Sequence, residues 1–199
     1  MKTIETLDEA LFWWINSHHT SFLDWILWVF SQHWSWAIVI VAVYGFVTLR
    51  KDRRGWLWVL IGIGLCFLLA DQISSSVIKD GVQRLRPCHQ FEGVRLFHTS
   101  KGGLYGFVSS HAANAFAIAM FLSLRYGGKK SDNNLKYKTP ILPYLLMIWA
   151  AIVSYSRPYL GKHFPGDVVC GALLGLGVGA VVYFVIEKIS LKIASRQSA

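Results

Sequence analysis

Charged side chains are scarce in this chain of 199 residues: Asp, Glu, Lys and Arg together make up 16% of it, whereas 54% of the residues are hydrophobic. Five stretches have no charged residue at all, and most are long enough, or nearly so, for the roughly 20 residues with which an α-helix crosses a bilayer. They cover residues 25–49, 55–70, 102–124, 139–156 and 168–186. These numbers exclude a disordered chain and a soluble globular domain, and they predict an all-α, polytopic membrane helix bundle.

Cysteine is nearly absent as well, with three residues in the chain. Cys66 and Cys170 lie within uncharged stretches, and Cys88 stands alone between two of them. An odd number of cysteines without a metal-ligand spacing excludes a disulfide framework and a zinc site. We therefore expect neither a disulfide nor a zinc site.

Acidic residues are few compared with basic ones: 11 Asp and Glu stand against 20 Lys and Arg, which gives a net charge of +9. Such an excess can indicate a nucleic-acid partner, but here the cations are confined to the connections between uncharged stretches, so no nucleic acid is expected. Alternate connections carry twelve and eight of these cations. Because the cation-rich side of a membrane protein faces the cytoplasm, the connection 79–111 is predicted to face outward, on the extracytoplasmic side of a bacterial inner or plasma membrane.

The N-terminal part of the chain is the most polar of the membrane-associated segments. Residues 1–20 predict an amphipathic helix at the membrane interface, because residues 7–15 place their apolar side chains at helical spacing. A short helix at about 22–30 would then lead to a first span that begins near Trp36, which gives five transmembrane helices. In a six-span alternative, residues 7–30 cross the membrane themselves, although their carboxylate and histidine side chains oppose this.

Three glycines of the last uncharged stretch share one face of the predicted helix. Gly171, Gly175 and Gly179 follow one another at intervals of four residues. Small residues at this spacing allow two helices to approach closely. The face is predicted either to form a homodimer or to pack within the bundle, and packing within the bundle is the commoner use of such a face.

Ionisable side chains form three clusters in the outward connections, where a membrane protein rarely places them without a functional reason. The first contains Lys79, Arg86 and Pro87. Seven residues correspond to about two helical turns, so both cations are predicted to point the same way before Pro87 ends the helix. The second cluster, 106–111, opens a span and so offers the unpaired backbone N–H groups of a helix N-terminus, which bind anions.

The third cluster consists of Ser156, Arg157, His163 and Asp167 and is predicted to open the last span. Because successive spans run in opposite directions, all three clusters fall on the same face of the bundle and can converge. Three cations, two helix N-termini and two histidines around one cavity describe a site for a multiply charged anion. Phosphate is the obvious candidate.

The three clusters resemble the motifs K-x6-R-P, P-S-G-H and S-R-x5-H-x3-D of the type 2 phosphatidic acid phosphatase family, over residues 79–167 and the flanking spans. The first and third motifs match at every defined position. In the second motif, Val108 replaces the proline and Ser110 replaces the glycine, whose backbone N–H would face the phosphate; Ser110 keeps that N–H. The resemblance implies a single membrane phosphatase domain over residues 1–199, with 79–111 as its active-site connection.

By this resemblance, His163 is the nucleophile that takes the phosphoryl group as a phosphohistidine, and Asp167 orients it. The spacing agrees, because a carboxylate one helical turn along can accept the other ring N–H of the imidazole. His111 is the general acid for the leaving lipid oxygen and then the base for water. The oxygens of the phosphate would be bound by Lys79, Arg86, Arg157, Ser109 and the backbone of Ser110. Fixed cations replace a metal in this scheme, so the resemblance implies no metal and no cofactor.

The resemblance also implies the substrate, a phosphomonoester or diphosphate of a membrane lipid that enters sideways from the bilayer. An outward-facing basic site favours a lipid A phosphate or a polyprenyl diphosphate, with phosphatidylglycerophosphate or phosphatidic acid as the alternative. The connection 88–105 is expected to form a lid or a headgroup sensor.

Two other functions are weaker interpretations of the same residues. A serine hydrolase built on Ser109 or Ser110 lacks the G-x-S-x-G pattern and leaves the three cations unexplained. A non-enzymatic transporter of anions or lipids needs no aspartate four residues after a histidine, and no internal repeat is visible.

The remaining polar side chains of these segments show no motif. We expect interfacial or loop positions for His18, His19, His33, His89 and His98. Headgroup contacts or solvated loop charges are expected for Arg84, Arg95 and Lys101. For Asp24 and Asp71, which lie near span ends, the sequence favours neither a structural nor a functional role.

Overall fold

A computed structural model describes residues 2–49, 56–127 and 140–197, and this part of the chain is helical, with one isolated β-bridge in a connection. The α-helices in chain order are α1 (Lys2–Ser17), α2 (Ser21–Ser31), α3 (His33–Leu49), α4 (Trp56–Gln72), α5 (Lys79–Val82), α6 (Pro87–Gln90), α7 (Ser110–Tyr126), α8 (Leu142–Tyr159) and α9 (Pro165–Gln197). A π-helical segment, Ile73–Ile78, joins α4 to α5. The all-α prediction is confirmed.

Helix α7 lies at the centre of the bundle, in contact with α4, α8 and α9. Its inward faces are lined by small side chains, and Ala113, Ala115, Ala117 and Ala119 are all fully buried. Side chains of this size let neighbouring backbones come close, which is how helices associate in a membrane without a hydrophobic driving force between them. Larger side chains, among them Phe121, complete the core.

The glycine face of α9 packs against α7 of the same chain. A Cβ atom added to Gly171 would meet the carbonyl oxygen of Ser109, and one added to Gly175 would overlap the carbonyl oxygen of Ala113. Gly179 approaches the next turn of α7 in the same way. Packing within the bundle is therefore the observed use of this face, and the alternative of a homodimer through these three glycines does not hold because α7 already covers them.

Gly175→Ala should destabilise the protein by roughly 2 kcal/mol or more, because the added methyl group forces two packed backbones apart. Gly177 is the matched control: it lies on the same helix and a Cβ there has nothing within 4 Å. Gly177→Ala should leave stability unchanged or raise it by up to about 1 kcal/mol through helix propensity. Thermal unfolding in detergent, followed by tryptophan fluorescence, measures both. Equal melting temperatures for the two variants would contradict the packing described above.

The N-terminal helices agree in part with expectation. Helix α2 matches the short helix predicted at about 22–30, and α3 begins at His33, three residues before the predicted start. In α1, Leu7 and Trp14 are 65% and 58% exposed, whereas Phe12, on another face, is fully buried against the bundle. An apolar stripe that faces outward suits a helix lying on a lipid surface.

The number of spans is not confirmed at five or six. Two described helices are long and apolar enough to cross a membrane, Trp56–Val82 and Pro165–Ile193, and a third results if α2 and α3, bent by 68°, form one broken span. A continuous helix over 7–30, which the six-span alternative needs, is not formed, because the chain leaves helical geometry after Ser17 and Thr20 caps α2. Eight of the twelve cations on the predicted cytoplasmic side, at 50–54 and 128–138, lie outside the described residues.

Candidate active site

Four helices meet at one end of the bundle: the short helix α5, the beginning of α7, the end of α8 and the beginning of α9. The three motifs touch there. The ammonium group of Lys79 donates a hydrogen bond to Oγ of Ser110 at 2.5 Å, and the backbone N–H of Ser109 donates to the carbonyl oxygen of Asp167 at 3.0 Å. The alternating direction of the helices therefore brings together residues that lie up to 88 positions apart in the sequence.

The first motif does not lie on one continuous helix, so the predicted alignment of its two cations two turns apart is wrong. Helix α5 ends at Val82, and Gln83 takes a left-handed conformation with φ of 53°. The next residues run extended, and Leu85 forms a β-bridge with Tyr105. Pro87 begins α6 instead of ending a helix, since its fixed φ suits a first helical turn while its ring disfavours helical geometry in the residue before it.

This extended segment is what brings Arg86 to the second motif. Its backbone N–H donates to the carbonyl oxygen of Leu104 at 3.1 Å, and its Nε donates to that of Tyr105, also at 3.1 Å. Gly106 lies next to it, and a Cβ there would be 3.1 Å from both Cγ of Arg86 and Oδ2 of Asp167. A side chain at this position would therefore crowd the approach of Arg86 and Asp167, so Gly106 shapes the site although sequence reasoning assigned it no role.

Around the start of α7, Ser110 already has two partners. Its Oγ accepts from Lys79 and from Oγ of Ser74, the latter at 2.8 Å. The hydroxyl of Ser109 is fully buried and has no hydrogen-bond partner within the described residues. The ring of His111 lies 5.1 Å from that of His33, centroid to centroid. His33, for which the sequence showed no pattern, is thus a neighbour of the predicted general acid.

His163 lies in the short connection between α8 and α9 and is 2% exposed. Its Nδ1 is 3.6 Å from Oδ2 of Asp167, which is ion-pair distance and longer than a hydrogen bond. Oδ2 instead accepts the backbone N–H of Phe164 at 3.0 Å. The expected direct hydrogen bond between the imidazole and the carboxylate is therefore not formed. The carboxylate oxygen accepts a backbone N–H at the start of α9 instead. Ser156 and Arg157 also end α8 and do not open the last span as predicted.

The electrostatics around His163 are strongly positive. Burial, and then the nearby charges of Arg86, Arg157 and Lys79, lower the pKa of His163 well below its ordinary value. Among the described residues, no carboxylate lies within ion-pair distance of Lys79, Arg86 or Arg157. A neutral, buried imidazole thus lies beside three cations that form no ion pair with the described residues. Such a site suits an anion that carries more than one negative charge.

Arg84 holds the carboxylate of the third motif in place. Its Nη1 donates to Oδ1 of Asp167 at 2.8 Å, and its Nη2 donates to Oδ2 of Asp8 at 2.7 Å. The other oxygen of Asp8 accepts the backbone N–H of Gly166 at 2.7 Å. Arg84 is therefore neither a headgroup contact nor a solvated charge, as the sequence suggested. Helix α1 contributes Asp8 to this network, a role with no signal in the sequence.

Arg95 is also committed to the protein. It donates two hydrogen bonds to the carboxylate of Asp24, at 2.9 and 2.6 Å, and the hydroxyl of Tyr159 donates to the same carboxylate at 2.9 Å. The side chain of Asn16 bonds the backbone of Arg95 on both sides, as donor and as acceptor. These contacts fasten the connection 88–105 to α1, α2 and α8. Lys101, by contrast, is exposed.

Arg95→Met should therefore lower the free energy of unfolding by about 2 kcal/mol, because it leaves the buried carboxylate of Asp24 without its cation. The loss is no larger because Arg95 is partly exposed and solvent screens the pair. Adding Asp24→Asn to this variant should recover part of the loss, since no unpaired charge then remains. The melting temperatures of the two variants in detergent measure this. Arg196→Met, at an exposed position of α9, is the control. A melting temperature of Arg95→Met equal to that of the control would contradict a stabilising role.

Fold and site together describe a helical membrane protein with a cluster of cations around a buried histidine at one end of its bundle. A family model described as the PAP2 superfamily matches residues 56–190, more than half of the chain. The chain belongs to the PAP2 superfamily, and its class is that of phosphatases that act on lipid phosphates. All three motifs lie within the matched segment, whereas Asp8 and His33 precede it.

Named relatives are similar over most of the chain. A lipid A 4'-phosphatase of Porphyromonas gingivalis is 32% identical over 188 residues, which cover 92% of this chain and 74% of the relative. A lipid A 4'-phosphatase of Bacteroides thetaiotaomicron is 29% identical over 199 residues, covering 98% and 84%. The crystal structure of a PAP2-type phosphatidylglycerolphosphate phosphatase from Bacillus subtilis shares the fold, with a TM-score of 0.65 at 21% identity over 97% of this chain and 89% of that one.

Proposed function

We propose that the protein removes phosphate from a membrane lipid at the extracytoplasmic face through a phosphohistidine at His163, without a metal. The observation that carries the proposal is the buried His163 beside three cations that form no ion pair with the described residues, at the end of a membrane bundle. Its lowered pKa leaves the imidazole with a free electron pair at neutral pH, which a nucleophile needs. The facing cations would attract the phosphate and stabilise the charge that spreads over its oxygens in the transition state.

The reaction would proceed in two displacements. In the first, the ring nitrogen of His163 that faces away from Asp167 attacks phosphorus, the bond from phosphorus to the lipid oxygen breaks, and His111 gives its proton to that oxygen. In the second, His111 takes a proton from water, the water oxygen bonds to phosphorus, and the bond to His163 breaks. Asp167, held by Arg84, would favour the imidazolium form of His163 that exists while phosphorus is attached.

Five groups would hold the phosphate oxygens during both steps. They are Lys79, Arg86, Arg157, the hydroxyl of Ser109 and the backbone N–H of Ser110. The hydroxyl of Ser109 is buried and without a partner, so a phosphate oxygen would complete its hydrogen bonding. A serine hydrolase has less support, since the hydroxyl of Ser110 is bonded to Lys79 and Ser74 and not to a histidine.

We favour a lipid A phosphate as the substrate because relatives similar over most of the chain are named lipid A 4'-phosphatases. A polyprenyl diphosphate is the second candidate, and phosphatidylglycerophosphate or phosphatidic acid the third. A cavity of about 510 Å³ within the connection 88–105 gives room for a polar headgroup. The hydrogen bonds of Arg95 to Asp24 hold this connection against the bundle. Of the two expected roles, lid and headgroup sensor, we therefore propose the headgroup sensor, which needs no large movement.

Phosphate release from these lipids in detergent, with and without a chelator, tests the proposal. We expect release to be resistant to the chelator and kcat/KM to be highest for lipid A, with mass spectrometry showing which phosphate is lost. Loss of activity in the chelator would overturn the metal-independent mechanism. Binding of phosphate without release from any lipid would favour the transporter instead.

A further inference from the structure

Next to the nucleophile lies a cation that the three motifs do not include. Lys162 is 4% exposed, a burial that lysine rarely reaches without a partner for its charge. Within the described residues, no carboxylate lies within ion-pair distance of it, and its ammonium group donates no hydrogen bond there. Leaving an ammonium group buried and unpaired is costly, so the position calls for a functional reason.

The backbone around Lys162 fixes where its side chain begins. Its N–H donates to the carbonyl oxygen of Arg157 at 2.9 Å, so two residues that flank the nucleophile are joined directly. Its ammonium group lies 3.7 Å from the point where a Cβ of Gly102 would stand, and Nη1 of Arg86 lies 2.9 Å from the same point. The ammonium group of Lys162 and the guanidinium group of Arg86 therefore both lie close to Gly102 of the connection 88–105.

We propose that Lys162 is a fourth phosphate-binding cation, which with Arg86 holds anionic oxygens of the substrate on the side of the connection 88–105. The inference rests on the proposed phosphatase function. It follows from charge and place: the side chain of Lys162 is buried and precedes His163 in the chain, its ammonium group lies close to Arg86, and no carboxylate of the described residues pairs with it. Substrate phosphate supplies the missing negative charge.

The pKa of this lysine reflects its position beside the other cations of the site. Burial, and then the charges of Arg157 and Arg86, lower the pKa of Lys162 to about 8. The group is therefore mostly charged at pH 7 and loses its proton as the pH rises through about 8. If the charged form binds phosphate, kcat/KM should fall on this alkaline limb, because kcat/KM reports the free enzyme.

Lys162→Met, which keeps the length and removes the charge, should raise the inhibition constants of inorganic phosphate and vanadate about 10-fold and lower kcat/KM by roughly 10- to 100-fold. Lys162→Arg should restore most of both, since arginine keeps the positive charge and stays protonated. Lys188→Met, at an exposed position near the other end of α9, is the matched control and should behave as wild type. Unchanged inhibition constants in Lys162→Met would overturn the proposal.

Melting temperature separates binding from a structural role. Removing a buried, unpaired charge should leave the melting temperature of Lys162→Met equal to or above that of wild type; a lower melting temperature with unchanged phosphate affinity would show a structural lysine instead. Equal losses on a lipid monophosphate and a lipid diphosphate would place Lys162 on the transferred group, and a loss confined to the diphosphate would place it on the second phosphate. Binding of labelled phosphate to the protein, measured without turnover, keeps the test valid even if no lipid is hydrolysed.

Discussion

Replacing His163 by asparagine should reduce phosphate release from a lipid by about 10⁴-fold or more, because the variant has no nitrogen that can accept the phosphoryl group. The fold should tolerate the change, since the amide is smaller than the imidazole and the neighbouring carboxylate is already held by Arg84 and the backbone of Phe164. Turnover of a lipid phosphate in detergent measures the effect. His18→Asn, at an exposed position at the end of α1, is the control.

The covalent step can be observed directly. Wild-type protein mixed with ³²P-labelled lipid and quenched in alkali should retain label on the chain, and His163→Asn should retain none. Because the pKa of His163 is lowered by burial and by Arg86, Arg157 and Lys79, its neutral form persists into mildly acidic solution, so labelling should continue below the ordinary pKa of histidine. Label or turnover that survives in the asparagine variant would remove His163 from the mechanism.

His111→Asn should cost about 10²- to 10⁴-fold on a lipid phosphate, whose alkoxide is a poor leaving group without a proton. On an aryl phosphate, whose oxygen leaves without protonation, the first step should be nearly unaffected. The ratio of single-turnover rates on the two substrates measures this difference and needs no separate control, because one variant is compared on two leaving groups. Equal losses on both would show that His111 binds the phosphate or shapes the pocket but does not supply the proton.

The convergence of the three motifs could be predicted from the sequence because the motif residues are unusual in an apolar chain. Lysine, arginine and histidine beside long uncharged stretches stand out, and the alternation of helix direction places them together before any coordinate is known. Lys162 lies next to a motif residue in the sequence, but it stands outside the motif pattern, and its burial is visible only in the structure.

The partners of these residues were not accessible. Arg84 meets Asp8 and Arg95 meets Asp24, at separations of 76 and 71 residues, and nothing in local spacing connects them. The prediction of a helix from Lys79 to Arg86 was wrong for a related reason, a contact between residues distant in the sequence. Local periodicity favours a helix there, but the contact of Leu85 with Tyr105 and the left-handed turn at Gln83 favour an extended chain.

Because Asp8 of α1 contacts residues of the site, an active fragment of this protein is expected to need α1. A shortened chain that begins at Trp56 would keep each motif residue and the whole segment matched by the family model. It would nevertheless lose Asp8, and with it one of the two carboxylates that hold Arg84 and the acceptor for the N–H of Gly166. A chain truncated at residue 56 should therefore keep all motif residues but lose the contacts that position Arg84 and, through it, Asp167.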